Sequence, residues 1–420
     1  MTDKNIDRAS AADIAATIAP VPRISIQGFC ETAEVAQVID NAANDRRMGK
    51  AHVKVHMGGL PAAIEAYRSA PTPNLIVLET LSDRSVMVEQ LETLAEFCDA
   101  GTKVMVVGHE NDIALYRDLT SRGVSDYIVA PIDILGFIAQ VSHLYNGPAA
   151  ETLGRTIAVT GAKGGVGASS IAHNLAWSIS RQLESQTVIV DLDLPFGTAG
   201  LDFNQDPPQG VADAVFSPER LDTAFVDRLL SRCSATLSIL AAPATVERPY
   251  DLPEQAFDPT LEILRGTTPC AILDVPHMWT SWSKRVLSSA DEVVIVAAPD
   301  LANLRNTKTL VDALRAVRAN DHPPRVILNM VGVPKRPEIN LAEFAKAIEL
   351  EPFGVVPFEP KLFGTAANNG QMIAEVEAGS KIVETIDDLG RQLMGRAVAR
   401  RTKKALLAPI LERLSRKKAS

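Results

Sequence analysis

The sequence predicts an α/β protein built from two consecutive doubly wound, mostly parallel sheets, and three observations carry that prediction. Short β-branched runs alternate with amphipathic stretches in two series, one on each side of a turn-rich segment at 146–154. A glycine-rich loop joins an apolar run to a helical pattern within 157–180. Two of the later apolar runs end at aspartates. Strands that alternate with helices imply parallel pairing, because only a long crossover returns the chain in the same direction.

Taken in order, residues 1–20 are rich in Ala and Asp, carry little pattern, and are expected to form a mobile leader. Strands are expected at 23–29, 52–56, 74–79, 103–107 and 126–129, with helices such as 86–98 and 112–122 between them. Five such units over 21–145 make an open, flavodoxin-like sheet. The segment NGPAAETLG, 146–154, has linker chemistry and no periodicity. A second unit, 155–390, has strands expected at 156–160, 187–190, 238–241, 271–273, 292–296 and 326–329. Residues 391–420 read as a basic amphipathic tail, with Pro409 kinking or restarting its helix.

Composition narrows the function. Hydrophobic residues make up 46% and charged residues 22%, which excludes wholesale disorder. No apolar run reaches the roughly 18 residues of a membrane-spanning helix, and the first twenty residues lack the apolar region of a secretory signal. The four cysteines (Cys30, Cys98, Cys233, Cys270) lie far apart, which argues against a disulfide framework or zinc knuckle and suits a reducing cytosol. The net charge of −9 is uneven. The tail holds ten Lys/Arg against Glu412 alone, leaving 32 bases against 50 acids elsewhere. An acidic body is a poor general nucleic-acid binder, so specific nucleic acid is not an expected partner and any polyanion contact falls to the tail.

The loop is the most informative segment. Gly161-Ala162-Lys163-Gly164-Gly165-Val166-Gly167-Ala168-Ser169-Ser170 follows an apolar strand and opens a helix. Its glycines permit backbone angles that turn successive N–H groups inward, an anion cradle at a helix N-terminus. Ser169 stands where a hydroxyl would ligate Mg²⁺. The usual P-loop lysine before that serine is replaced by Ala168. Asp191 and Asp193 follow one strand and Asp274 ends another, placing carboxylates at the ligand edge of such a sheet. Asp274 reads as a Walker B-like metal carboxylate.

Lys163 at the start of the loop resembles the deviant Walker A motif of the ParA/MinD ATPases. The resemblance implies that Lys163 reaches across a dimer interface to the partner's nucleotide, that Asp193 orients the attacking water, and that Asp191 supports the loop. It also implies adenine contacts at Asn329, which ends the strand VILN, and at Pro357 in VVPFEP. ATP or ADP with Mg²⁺ is the implied cofactor. The stretches GAKGGVGASSIAHNLAW, DLDLPFGTAGLDFNQDPPQGVADAV, ILDVPHMWTSW and FGTAANNGQMIAEV together resemble the TadZ/CpaE family, which localises and supports assembly of Tad (Flp, type IVc) pili. The similarity spans roughly 20–390.

This resemblance implies a receiver-like front unit. A working receiver needs acids after its first strand, an aspartate after the third, Ser/Thr after the fourth and Lys before Pro after the fifth. Here Gln27-Gly28, Glu79, Gly108 and Ala130-Pro131 stand there, so a pseudoreceiver is expected, serving as a docking or targeting module. The implied function is an ATP-dependent, homodimerising switch, a weak ATPase acting at the cell pole. It is expected to be cytoplasmic and peripheral to the inner membrane, with pilus machinery, polar landmark proteins and an anionic membrane surface as partners. A pseudo-ATPase scaffold without turnover and a ParA-like DNA or cargo partitioning ATPase are the alternatives. An electron-transfer role like that of the nitrogenase iron protein fails, because no cysteine follows Asp274.

Overall fold

The computed structural model describes residues 15, 17–146, 153–247 and 249–395. The start of the expected leader, the middle of the linker and the tail from 396 onward lie outside these described residues.

Five parallel strands form the first sheet: β1 (Ser25–Cys30), β2 (His52–Met57), β3 (Leu75–Glu79), β4 (Lys103–Gly108) and β5 (Asp126–Val129), in the order β2-β1-β3-β4-β5. The central strand β3, LIVLE, is buried throughout, because helices cover both faces of a doubly wound sheet. Alternation along the strands divides the core. Val77 and Met105 face Ile39 and Phe137, whereas Ile76, Leu78 and Val106 face Leu60 and Leu115.

The second sheet has eight strands: β6 (Arg155–Gly161), β7 (Thr187–Asp191), β8 (Ser231–Arg232), β9 (Leu237–Leu240), β10 (Cys270–Val275), β11 (Glu292–Ala297), β12 (Arg325–Val331) and β13 (Gly354–Pro357). Their order is β13-β12-β11-β6-β10-β7-β9-β8, and only the β8–β9 pair is antiparallel. At two residues, β8 is too short to leave a sequence pattern. Helices Ala168–Gln182 and Lys381–Leu393 pack on one face over Ile157, Val159 and Ile272. The last helix outruns the boundary expected at 390: Ile386, Leu389 and Leu393 form one buried stripe, and ending it earlier would strip Leu393 from the core.

The end of the expected leader is anchored on the first unit. Ser142 Oγ donates to Ala19 O at 2.8 Å, Val21 N donates to Arg47 O at 2.8 Å, and Arg47 Nε donates to Ala15 O at 3.1 Å. The two sheets meet at a charge network that sequence reading missed. Arg46, in the 3-10 turn Arg46–Met48, donates Nε to Asp321 Oδ2 at 2.8 Å and Nη1 to Asp291 Oδ1 at 3.0 Å. Arg47 Nη2 also donates to Asp321, and Asn320 Nδ2 donates to Asp45 Oδ2 at 2.9 Å. Asp291 precedes β11 and accepts from Thr156 N in β6, so the first unit is fastened at the N-terminal edge of the second sheet.

In the first unit the acid at the third-strand receiver-like position is buried and fully engaged. Glu79 is 0% exposed. Its Oε2 accepts from Glu31 N and Thr32 N, both at 2.8 Å, while Oε1 accepts from Thr32 Oγ1 at 2.7 Å and lies 3.2 Å from His109 Nε2. Gln27 Oε1 accepts from Tyr67 OH at 2.9 Å. Any side chain at Gly108 would collide with the Tyr127 ring, its Cβ lying 2.1 Å from the hydroxyl. Glu79 therefore ties β3 to the start of helix Ala33–Ala43 and has no free carboxylate to phosphorylate. Glu79→Ala is expected to destabilise the protein by about 3 kcal/mol, because two part-buried N–H donors and the Thr32 hydroxyl lose their shared acceptor. Glu79→Gln keeps one acceptor and should cost about 1 kcal/mol with localisation unchanged. Denaturant midpoints of the two variants check this; an alanine variant as stable as the parent would refute the tie.

Candidate nucleotide site

Strand β6 lies between β11 and β10 and is buried from Thr156 to Gly161, so it delivers the loop to the C-terminal edge of the sheet, beside the point where strand order reverses. Three side chains from other elements grip the loop's carbonyls. His277 Nδ1 meets Gly161 O at 2.7 Å, Asn306 Nδ2 donates to Ala162 O at 2.9 Å, and Asn329 Nδ2 donates to Val166 O at 2.8 Å. With carbonyls held from below, the loop can present N–H groups to an anion.

Two glycines are sterically required. A Cβ at Gly161 would lie 2.9 Å from Lys163 O, and one at Gly167, where φ is +81°, would lie 2.7 Å from Asn329 Nδ2. Helix Ala168–Gln182 opens directly after Gly167, with Ala168, Ser169 and Ser170 half-buried in its first turn. Lys163 is exposed on the rim of the loop, together with Gly164 and Gly165. Its charge contributes to holding Asp300 below the usual carboxylate range: burial works against that shift, and the Asn303 backbone and side-chain N–H groups outweigh it, with Lys163 adding to them.

Three aspartates stand beside the loop. Asp274 pairs in register with Asp191 across β10 and β7, and both are buried. Asp191 Oδ2 accepts from Ala199 N at 3.0 Å and Oδ1 from Asp193 N at 3.2 Å. Burial, followed by the neighbouring Asp274, pushes the Asp191 carboxyl up. Asp193 is half-buried, accepts from Phe196 N at 3.2 Å, and is also pushed up, chiefly by burial. It lines an apolar cavity of about 500 Å³ with Phe196, Val246, Tyr250, Met278 and Trp282.

Buried carboxylates side by side next to an anion cradle form a donor set suited to a divalent cation shared with phosphate. Among the described residues, no three His, Cys, Asp or Glu side chains cluster to hold a metal by themselves. Mg²⁺ takes one or two carboxylates and completes its shell from phosphates and water.

Of the residues singled out from sequence, 161–170, Asp191, Asp193 and Asp274 converge on this edge. Asn329 is buried beneath the loop with its amide donating to Val166 O, and Pro357 is exposed at the end of β13. His277, Asn306 and His173 were missed. His173 is 0% exposed, with Nδ1 2.7 Å from Asp202 Oδ2 and Nε2 3.3 Å from Asp274 Oδ2. Burial would lower its pKa, but the two carboxylates outweigh burial and raise it to about 10. Its only sequence signal is a spacing of four from Ser169, which puts both on one helix face.

Comparison with known proteins adds a family. The family model for the cellulose biosynthesis protein BcsQ matches residues 155–322. The pilus assembly protein CpaE from Caulobacter crescentus CB15 is 48% identical over 30% of this chain and 97% of that structure, with a TM-score of 0.30. That identity, over nearly all of a solved relative, decides the matter. The chain belongs to the CpaE family. The septum site-determining protein MinD of Bacillus subtilis (strain 168) is 22% identical over 253 residues, 59% of this chain and 91% of that protein. MinD complexed with Mg-ADP from Pyrococcus horikoshii OT3 is 18% identical over 57% of this chain and 96% of that one, with a TM-score of 0.51, which supports the shared fold alone. CpaE-family membership thus sits within the wider ParA/MinD group of P-loop proteins. Among the described residues no helix is long and apolar enough to cross a membrane.

Proposed function

We propose that this chain is an ATP-dependent switch in pilus assembly. The observation that carries the reading is the exposed Lys163 at the rim of a gripped phosphate loop, with Asp193 and the buried Asp191–Asp274 pair on the same sheet edge. Backbone N–H groups of 161–170 hold the phosphates, Ser169 and Asp274 hold Mg²⁺, and Asn329 and Pro357 flank the purine. The bound cation neutralises phosphate charge. Lys163 reaches the nucleotide of a second copy, so ATP joins two chains, and Asp193 orients the water that ends the association. The pair is placed at the cell pole by the first unit, and hydrolysis is slow because Ala168 supplies no charge to the phosphates. The same alanine favours a second reading, a scaffold that binds nucleotide without turnover.

Calorimetric titration of the full chain with ATP and Mg²⁺, followed by analytical ultracentrifugation, tests this. Modest affinity and a nucleotide-dependent dimer are expected; no binding at millimolar nucleotide would overturn the reading. The basic tail lies outside the described residues, and we assign it to an anionic membrane surface, each cation near the lipid contributing about 1 kcal/mol. Truncation after Gly395, which spares the buried Leu393, should abolish cosedimentation with anionic vesicles at low salt. Equal sedimentation of both forms would remove the tail from consideration.

A further inference from the structure

Helix Ala199–Asp202 is short, yet both of its ends are attached to the carboxylates beside the phosphate loop. At its start, Asp191 Oδ2 accepts from Ala199 N at 3.0 Å, and a Cβ on neighbouring Gly197 would lie 2.3 Å from that same oxygen. At its end, Asp202 Oδ2 meets His173 Nδ1 at 2.7 Å, and the far side of the same ring faces Asp274. His173 Nε2 stands 3.3 Å from Asp274 Oδ2, close enough to attract it but off the line of a hydrogen bond, and the atom has no other polar partner. The ring thus bridges the expected metal carboxylate and a surface helix, with no solvent reaching it.

The helix is in turn packed against a second surface element. A Cβ at Gly370 would lie 2.8 Å from Leu201 O and 3.1 Å from the Asn204 Cβ, so the turn after helix Pro360–Asn369 sits directly on it. Next to His173, Asn174 Oδ1 accepts from Ile373 N at 3.0 Å, and Asn174 Nδ2 donates to Ser170 O in the first turn after the loop at 2.8 Å. Residues 199–206 and 367–373 therefore share two attachments to the nucleotide edge. Leu201, 73% exposed, is presented to solvent from the middle of that surface.

We infer that His173 is a positioning residue that couples occupancy of the Asp274 site to the surface formed by 199–206 and 367–373. The inference rests on the nucleotide reading above. A cation drawn to Asp274 competes with His173 for the same oxygen, since charges a few ångströms apart in a buried site interact strongly. The ring is held at its other nitrogen by Asp202, so a change at Asp274 is felt where the helix ends.

Hydrogen exchange on the full chain, with ADP alone and with ADP plus Mg²⁺, tests it in the parent and in His173→Asn and His173→Gln. The asparagine can reach Asp202 but not Asp274, and the glutamine the reverse, so each breaks the bridge while leaving one attachment. In the parent, Mg²⁺ is expected to change exchange at 199–206 and 367–373 by about threefold or more, alongside protection at 161–170. In both variants protection at 161–170 should persist and the distant change should vanish. Retention of the distant change in both variants overturns the coupling, as does its absence in the parent while 161–170 is protected. No protection at 161–170 in the parent overturns the nucleotide reading itself, and the coupling falls with it. Loss of native near-UV dichroism in both variants would make His173 a packing residue and also overturn the coupling.

Discussion

Asp321→Ala is expected to destabilise the native chain by about 3–5 kcal/mol, because it breaks a buried charge network from its centre. Asp321 is 6% exposed and is shared by Arg46 and Arg47, whose side chains are 10% and 0% exposed; Arg318 lies 3.5 Å away. Removing it leaves Arg46 with Asp291 and Arg47 with Asp45 as their remaining carboxylates, and the penalty comes from desolvated guanidinium groups that are then only partly compensated. Denaturant unfolding is expected to change from one joint transition to two, since the network fastens the first unit to the second. A shift below about 1 kcal/mol would show that the fastening lies elsewhere.

The same network fixes a pH dependence. Burial alone would raise Asp291, but Arg265 and then Arg46 pull it down to about 2, and Asp321 is likewise lowered against burial, first by Arg46. Both acids are depressed relative to the unfolded chain, so their contribution is complete above about pH 4 and is lost as pH falls toward the folded values. Denaturation midpoints followed from pH 5 down to 2 should fall steeply in the parent and less steeply in Asp321→Ala. Parallel curves would contradict the assignment.

Lys163→Ala should abolish ATP-dependent association, whereas Asp193→Ala should preserve it. Lys163 is the loop's only lysine, Ala168 having replaced the other, so no second ammonium can take over at the γ-phosphate. A charge-assisted contact of this kind is worth about 1.5–3 kcal/mol per chain and is made twice in a symmetric pair. Asp193 is half-buried beside the apolar cavity and holds the turn to Phe196. Replacing it removes a water-orienting group, expected to slow any turnover by about 10²-fold or more. Sedimentation velocity with ATP and Mg²⁺, paired with phosphate release, separates the two. Equal loss of association in both variants would defeat this division of roles.

Much of this was legible in the sequence because the signals are local. The apolar runs at 75–79 and 157–161 become central strands, since continuous burial on both faces needs little more than β-branched and aliphatic residues in succession. The glycines at 161 and 167 announced the loop through their spacing, and the aspartates at 191 and 274 announced the ligand edge by ending strands. Each of these statements concerns fewer than a dozen neighbouring residues.

The sequence by itself therefore determined the two doubly wound sheets, the glycine-rich phosphate loop and the acids at its edge. Only the tertiary structure decided what surrounds them. Glu79 proved to be a buried tie to Thr32 and His109, although as a strand-end acid it read only as a degenerate receiver position. His173 carries no local mark of its role: β10 and the short helix bring Asp274 and Asp202 to its two nitrogens, the latter from 29 positions away. Arg46 meets Asp321 across 275 positions. A side chain's own helix or strand sets its direction, but which carboxylate it faces depends on strand order and docking, and those follow from burying two apolar faces at once rather than from any short pattern.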